Sequence, residues 1–129
     1  MNDASAFCLS NKVLKGDIIA ENDFSYLVPS LDPVLQHSMM IIPRRHVSSV
    51  FNISPEEWAS AYRLLRLAKT FLDEAEPDGY NVGWNVGRVG GQTVDHVHMH
   101  VIARFADEPL AGKGIRHALK QPDNARPDN

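Results

Sequence analysis

Asp95-His96-Val97-His98-Met99-His100-Val101-Ile102 places three histidines within five residues, in a chain that has six histidines in all. Strand side chains alternate faces with a period of two. An extended reading therefore puts His96, His98 and His100 on one face and Val97, Met99 and Val101 on the other. The spacing predicts a strand over 94–105, with a row of imidazoles on one side and an apolar anchor for a helix on the other.

Three chemistries are open to that row. It can be a polar strand face with histidines chosen for size. It can be a metal site, since His-x-His on a strand is a workable ligand pair. It can be a nucleophilic site, because a neutral imidazole nitrogen can attack a phosphoryl centre when its neighbours fix its tautomer and stabilise charge. The segment just before, Gly87-Arg88-Val89-Gly90-Gly91-Gln92-Thr93, suits phosphate, because glycines let backbone N–H groups approach oxygen. Gln92 and Thr93 add donors. A hairpin loop would use the same glycines.

Further from the histidines the pattern is mixed helix and strand. Asn81 to Val86 (NVGWNV) reads as a strand despite its glycine. Before it, Ser54-Pro55-Glu56-Glu57 is a helix start: Ser54 caps, Pro55 suits the first position and Glu57 completes a capping box. Trp58, Ala61, Leu65, Ala68 and Leu72 follow at spacings of three and four, an apolar stripe that ends before the turn Pro77-Asp78-Gly79. Ser38 to Pro43 (SMMIIP) is a short buried strand, and Phe24 to Val28 (FSYLV) another. Gly16-Asp17 marks a hairpin between short strands. The fold class expected is α+β, an antiparallel sheet of about five strands packed with a long helix. One domain over 1–120 is expected, with a disordered tail over 121–129.

Composition narrows the classes of function. A length of 129 residues fits one core, and a net charge of −3 gives no basic field for long nucleic acid. The lone cysteine, Cys8, permits no intrachain disulfide, which suits a cytoplasmic setting. No apolar run reaches the roughly 18–20 residues of a membrane span, and the amino terminus does not read as a signal peptide.

The run Gly91-Gln92-Thr93-Val94-Asp95-His96-Val97-His98-Met99-His100-Val101-Ile102 resembles the signature of the histidine triad (HIT) family: His-x-His-x-His, two apolar residues, and Gln-Thr or Gln-Ser shortly before. Ile41-Ile42-Pro43-Arg44-Arg45-His46 looks like that family's apolar strand ending in Pro-basic-basic-His. Asn85, thirteen residues before the middle histidine, falls where the family has Asn or Gln. The resemblance covers roughly residues 8 to 105 and implies a HIT-like fold.

It also implies a nucleotide hydrolase or transferase acting at the α-phosphate of dinucleoside polyphosphates or nucleoside phosphoramidates, with the nucleotide, expected to be a purine, as substrate. His98 matches the nucleophile, forming a nucleotidyl-histidine, with His96 and His100 flanking it. Asn85, Gln92 and Thr93 would hold phosphate oxygens or the leaving group. A transferase branch has Gln where this chain has His100, which favours hydrolysis. A homodimer is implied, and no cofactor or metal is required. The family also has a histidine before its apolar strand that supports the site. An ungapped count from Pro43 puts Ser38 there and His37 one place earlier; a one-residue bulge would bring His37 in. The ribose-binding acid of one branch falls on Ser30, near Asp32. Cys8 matches the second cysteine of a zinc pair whose first position is Ser5, so no structural zinc is expected. His46 reads as packing after the strand, His117 as solvated and Asp95 as a surface charge or turn contact. The competing functions are a nucleotide-binding module with little turnover and a metal-binding protein.

Overall fold

The computed structural model describes residues 18–128. Among the described residues five strands form one antiparallel sheet: β1 (Ala20–Glu21), β2 (Ser25–Pro29), β3 (Ser38–Pro43), β4 (Gly79–Trp84) and β5 (Met99–Arg104). Their order is β1-β2-β3-β5-β4, so the last two strands exchange places and β4 forms an edge. One long helix, α1 (Pro55–Leu72), connects β3 to β4. The expected α+β architecture is what the chain adopts. The expected hairpin strand before Gly16, and Cys8, lie outside the described residues.

The two faces of the sheet follow from strand alternation. Leu27, Met39, Ile41, Met99, Val101 and Ala103 point to the helix and pack with Ala61, Leu64, Ala68 and Leu72. Tyr26, Val28, Ile42 and Met40 cluster on the opposite face. His100 joins this second face, paired to Met40 on one side and Gly83 on the other. The helix starts as its sequence dictates: Ser54 Oγ accepts from the Glu57 N–H, and Glu57 accepts in return from the Ser54 N–H. Its buried stripe is rotated from the expected one. Leu64 is buried, Leu65 only partly, and Trp58 is 54% exposed, stacked on Trp84 instead of entering the core.

The carboxy-terminal stretch is a succession of turns that crosses back toward the sheet. Arg104 holds it down. Its guanidinium donates to the Leu110 and Lys113 carbonyls, to Asn81 Oδ1 on β4 and to Glu108. Within the stretch expected to be a disordered tail, Pro122–Asn124 forms a turn of 3-10 helix, and the Asn124 amide donates to the Leu119 carbonyl.

Candidate active site

The three histidines are brought together, though not as one regular strand. The ladder begins only at Met99, five residues after the expected start at Val94. Before it the chain is extended but bonded elsewhere: the Val97 N–H donates to the Val47 carbonyl in the segment after β3. His98 Nδ1 lies 2.8 Å from the His96 carbonyl oxygen, and His96 Nε2 lies 2.7 Å from the Pro43 carbonyl oxygen. A carbonyl only accepts, so each of these ring nitrogens carries the proton. In the neutral ring His98 Nε2 and His96 Nδ1 therefore hold the lone pairs.

The rings are buried and close. His98 and His100 meet edge to face, centroids 4.8 Å apart, and His46 lies 5.0 Å from His96. Burial lowers the pKa of all three triad histidines below the ordinary imidazole value. For His96 and His98 the carbonyl bonds, which favour the protonated ring, oppose that shift without reversing it. For His100 the neighbouring His98 adds to it. The site thus keeps its imidazoles neutral, the form an attacking nitrogen needs.

The glycine-rich loop is built differently from the expectation. The N–H groups of Gly90, Gly91 and Gln92 donate to carbonyls inside the loop, and the Gly87 N–H donates to Gln92 Oε1. Buried Gln92 gives its amide hydrogens to the Ser48 and Val94 carbonyls. Gln92 therefore fixes the loop, and most of the loop's donors serve its own turn. Its glycines have steric reasons: a Cβ at Gly90 would sit 2.3 Å from the Val86 carbonyl oxygen, and Gly91 has φ +98°. Thr93 stays exposed and, with Arg88 and Asp95, lines a cleft of about 260 Å³.

Asn85 lies just past β4 and shares a cavity of about 320 Å³ with His100, Trp84, Leu35 and Ile115. Ser38 stands on the histidine face, opposite Ile102, its hydroxyl donating to the Leu35 carbonyl. His37 does not reach this site. β3 pairs with β5 in unbroken register from Ser38 to Ile41, with no bulge to shift it. His37 instead lies edge-on to Phe105, 5.5 Å between centroids, in a separate cavity with Ala103 and Leu110. The His37 expectation is corrected by that register. Ser30 follows β2, its N–H donating to the Ser38 carbonyl. Asp32 turns its carboxylate to the N–H groups of Val34 and Leu35. Sequence reading missed His46, Leu35 and Ile115 as neighbours of the site; only His46 carried a signal, in its place after Pro43-Arg44-Arg45.

A family model described as the HIT domain matches residues 11–107. The chain belongs to the HIT family. Among its relatives, adenosine 5'-monophosphoramidase of Schizosaccharomyces pombe is 33% identical over 111 residues, spanning 83% of this chain and 81% of that one. Bis(5'-adenosyl)-triphosphatase of Dictyostelium discoideum is 30% identical over 96 residues, 71% of this chain and 62% of that one. A crystal structure of a HIT family protein from Bacillus anthracis superposes with a TM-score of 0.69 at 24% identity, covering 81% of this chain and 77% of that one. That likeness bears on the fold alone. Among the described residues no group of three or more His, Cys, Asp or Glu is arranged to hold a metal ion, and no helix is long and apolar enough to cross a membrane.

Proposed function

We propose that this HIT protein is a nucleotide hydrolase that cleaves at the α-phosphate of nucleoside phosphate derivatives, with His98 as nucleophile. The observation that carries the reading is the bond from His98 Nδ1–H to the His96 carbonyl at 2.8 Å. It leaves Nε2 with the lone pair, and burial keeps the ring neutral.

In the proposed reaction Nε2 attacks the α-phosphorus, and the P–O or P–N bond to the leaving group breaks with its electron pair going to that group. The nucleotidyl-imidazolium that forms keeps its Nδ1–H on the His96 carbonyl, a charge-assisted bond that strengthens as the ring becomes positive. Water then attacks the phosphorus, releases the nucleoside monophosphate and restores the imidazole. His100, edge-on to His98, fixes the ring's plane, and His96 holds the carbonyl it needs. Asn85, Thr93 and Ser30 are the proposed contacts to phosphate and ribose. Adenosine phosphoramidates and diadenosine polyphosphates are the substrate classes, supported by what the two relatives are named for, and a purine is the preferred base. No cofactor or metal enters either step. The proposed setting is the cytoplasm and the proposed assembly a homodimer.

The test compares wild type and His98→Ala on adenosine 5'-phosphoramidate and diadenosine triphosphate, with AMP binding measured alongside. Turnover is expected to fall by orders of magnitude while binding persists, and a strong chelator is expected to leave the wild-type rate unchanged. Failure of the wild type to turn over either substrate, with AMP still bound, would leave a binding module.

A further inference from the structure

A second cleft, of about 640 Å³, opens beside the cavity that holds His100 and Asn85. The two share Asn81 and Ile115. The rest of the second cleft comes from the carboxy-terminal turns and includes Lys113, Arg116, His117 and Lys120, with no acidic residue in its lining. The side chains of Lys113, Arg116 and Lys120 make no hydrogen bond or ion pair among the described residues, whereas Arg44, Arg45, Lys69 and Arg104 are each matched to a carboxylate.

The position of this cleft is fixed, not incidental. Arg104, on β5, grips the Leu110 and Lys113 carbonyls and Asn81 together. The turn is set further by Gly112, which has φ +84°. Ile115 reaches over Gly83, the strand neighbour of His100. One anchored segment therefore closes the histidine cavity with an apolar residue and presents unpaired cations just outside it. An overall charge of −3 makes a local group of three unmatched cations a place where a polyanion concentrates.

We propose that this cleft is a subsite for the leaving polyphosphate, so that the protein favours dinucleoside polyphosphates over phosphoramidates. The proposal rests on the hydrolase reading. In a polyphosphate substrate the phosphates beyond the scissile bond carry several charges and would lie along Lys113, Arg116 and Lys120. A phosphoramidate leaves as an amine and has nothing to place there. Each exposed cation contributes modestly to holding a polyanion. Three together correspond to about a tenfold change or more.

The triple variant Lys113→Gln/Arg116→Gln/Lys120→Gln tests it, since these side chains make no hydrogen bond or ion pair among the described residues; its circular dichroism is compared with the wild type's. Two measurements are made. Inorganic tripolyphosphate binding, by titration calorimetry, is expected to weaken at least about tenfold in the variant and to fall steeply with added salt in the wild type. The value of kcat/KM for diadenosine triphosphate is expected to fall at least about tenfold more than that for adenosine phosphoramidate. Tripolyphosphate affinity that is the same in both proteins, or an equal loss on both substrates, overturns the proposal. Wild-type protein that hydrolyses neither substrate defeats the hydrolase reading and the leaving-group role with it, whereas a catalytically active protein with unchanged tripolyphosphate binding defeats the cleft alone.

Discussion

The tautomer of His98 is chosen by the bond its Nδ1 makes. The His96 carbonyl takes the Nδ1 proton, so no third residue is needed to select the tautomer. Burial then lowers the His98 pKa, and the direction decides the pH behaviour of the proposed reaction. The neutral ring persists below the ordinary imidazole value of about 6.5. The profile of kcat/KM is expected to stay level as pH falls through that value and to drop only on its acid side; a drop centred above 7 would contradict the assignment. The same shifts bear on stability. His96, His98 and His100 all resist protonation in the folded state, so the unfolded chain binds more protons below about pH 6.5. Stability is therefore full above that pH and declines as pH falls from it toward the lowered folded values. Urea midpoints at pH 7.5 and 5.5 read this directly. The alternation of DHVHMHVI was enough to show the shared face and the apolar anchor. It could not show that the ladder starts at Met99, because the bonds that displace it come from Pro43 and Val47, some fifty residues away in the chain.

At the scale of elements, α1 was the most legible part of the chain, because its signals are local. Ser54, Pro55 and Glu57 act on one another within one turn, and a capping box needs no tertiary information. The phase of the buried stripe was less legible, since which side of a helix faces the sheet is set by the sheet: Trp58 finds Trp84 rather than the core. His37 failed for a related reason, because the continuous β3–β5 register assigns faces that spacing alone left open. Glu57 also has a second task that no local pattern revealed. Its carboxylate, with a side chain only 4% exposed, takes two bonds from Arg45 in the segment after β3. The pair is asymmetric, for the Arg45 side chain is 55% exposed. Removing Glu57 returns a guanidinium to water, whereas removing Arg45 strands a buried carboxylate on the Ser54 N–H. Arg45→Met is therefore expected to cost more than Glu57→Gln, about 1–2 kcal/mol against less than about 1, discounted for the exposure of Arg45. Arg45 lowers the Glu57 pKa, so this contribution is present above the ordinary carboxylate range and is lost as pH falls through the lowered value. Chemical denaturation at pH 7 and at pH 4 should show the Arg45→Met deficit shrinking in acid; a deficit independent of pH would assign it to packing.

At the scale of the whole molecule, β4 is an edge strand of the sheet. The helix lies over β2 and β3 and meets β5 through its side chains, so the helix side of the β4 edge is covered only by side chains such as Trp58 and Lys69. Val82 is 41% exposed there, and on the helix Trp58, stacked on Trp84 of β4, and Tyr62, one turn further on, are about half exposed. Lys69, one turn beyond Leu65 on the same helix, lies over the Tyr80 ring. A strand edge with free backbone groups next to a strip of aromatic side chains is a surface that monomers avoid. Two copies of β4 running antiparallel about a two-fold axis would satisfy both features, extending the sheet across the pair and burying Trp58 and Tyr62 against their counterparts. The Arg104 clamp, and with it the cleft proposed for polyphosphate, lies on the opposite face of the sheet. The wild type is therefore expected to sediment as a dimer. Val82→Lys combined with Trp58→Lys, which places like charges across the axis, is expected to give monomers with unchanged helix and sheet content by circular dichroism. A wild type that sediments as a monomer at micromolar concentration would remove the interface, and a double variant that remains dimeric would move it to another surface.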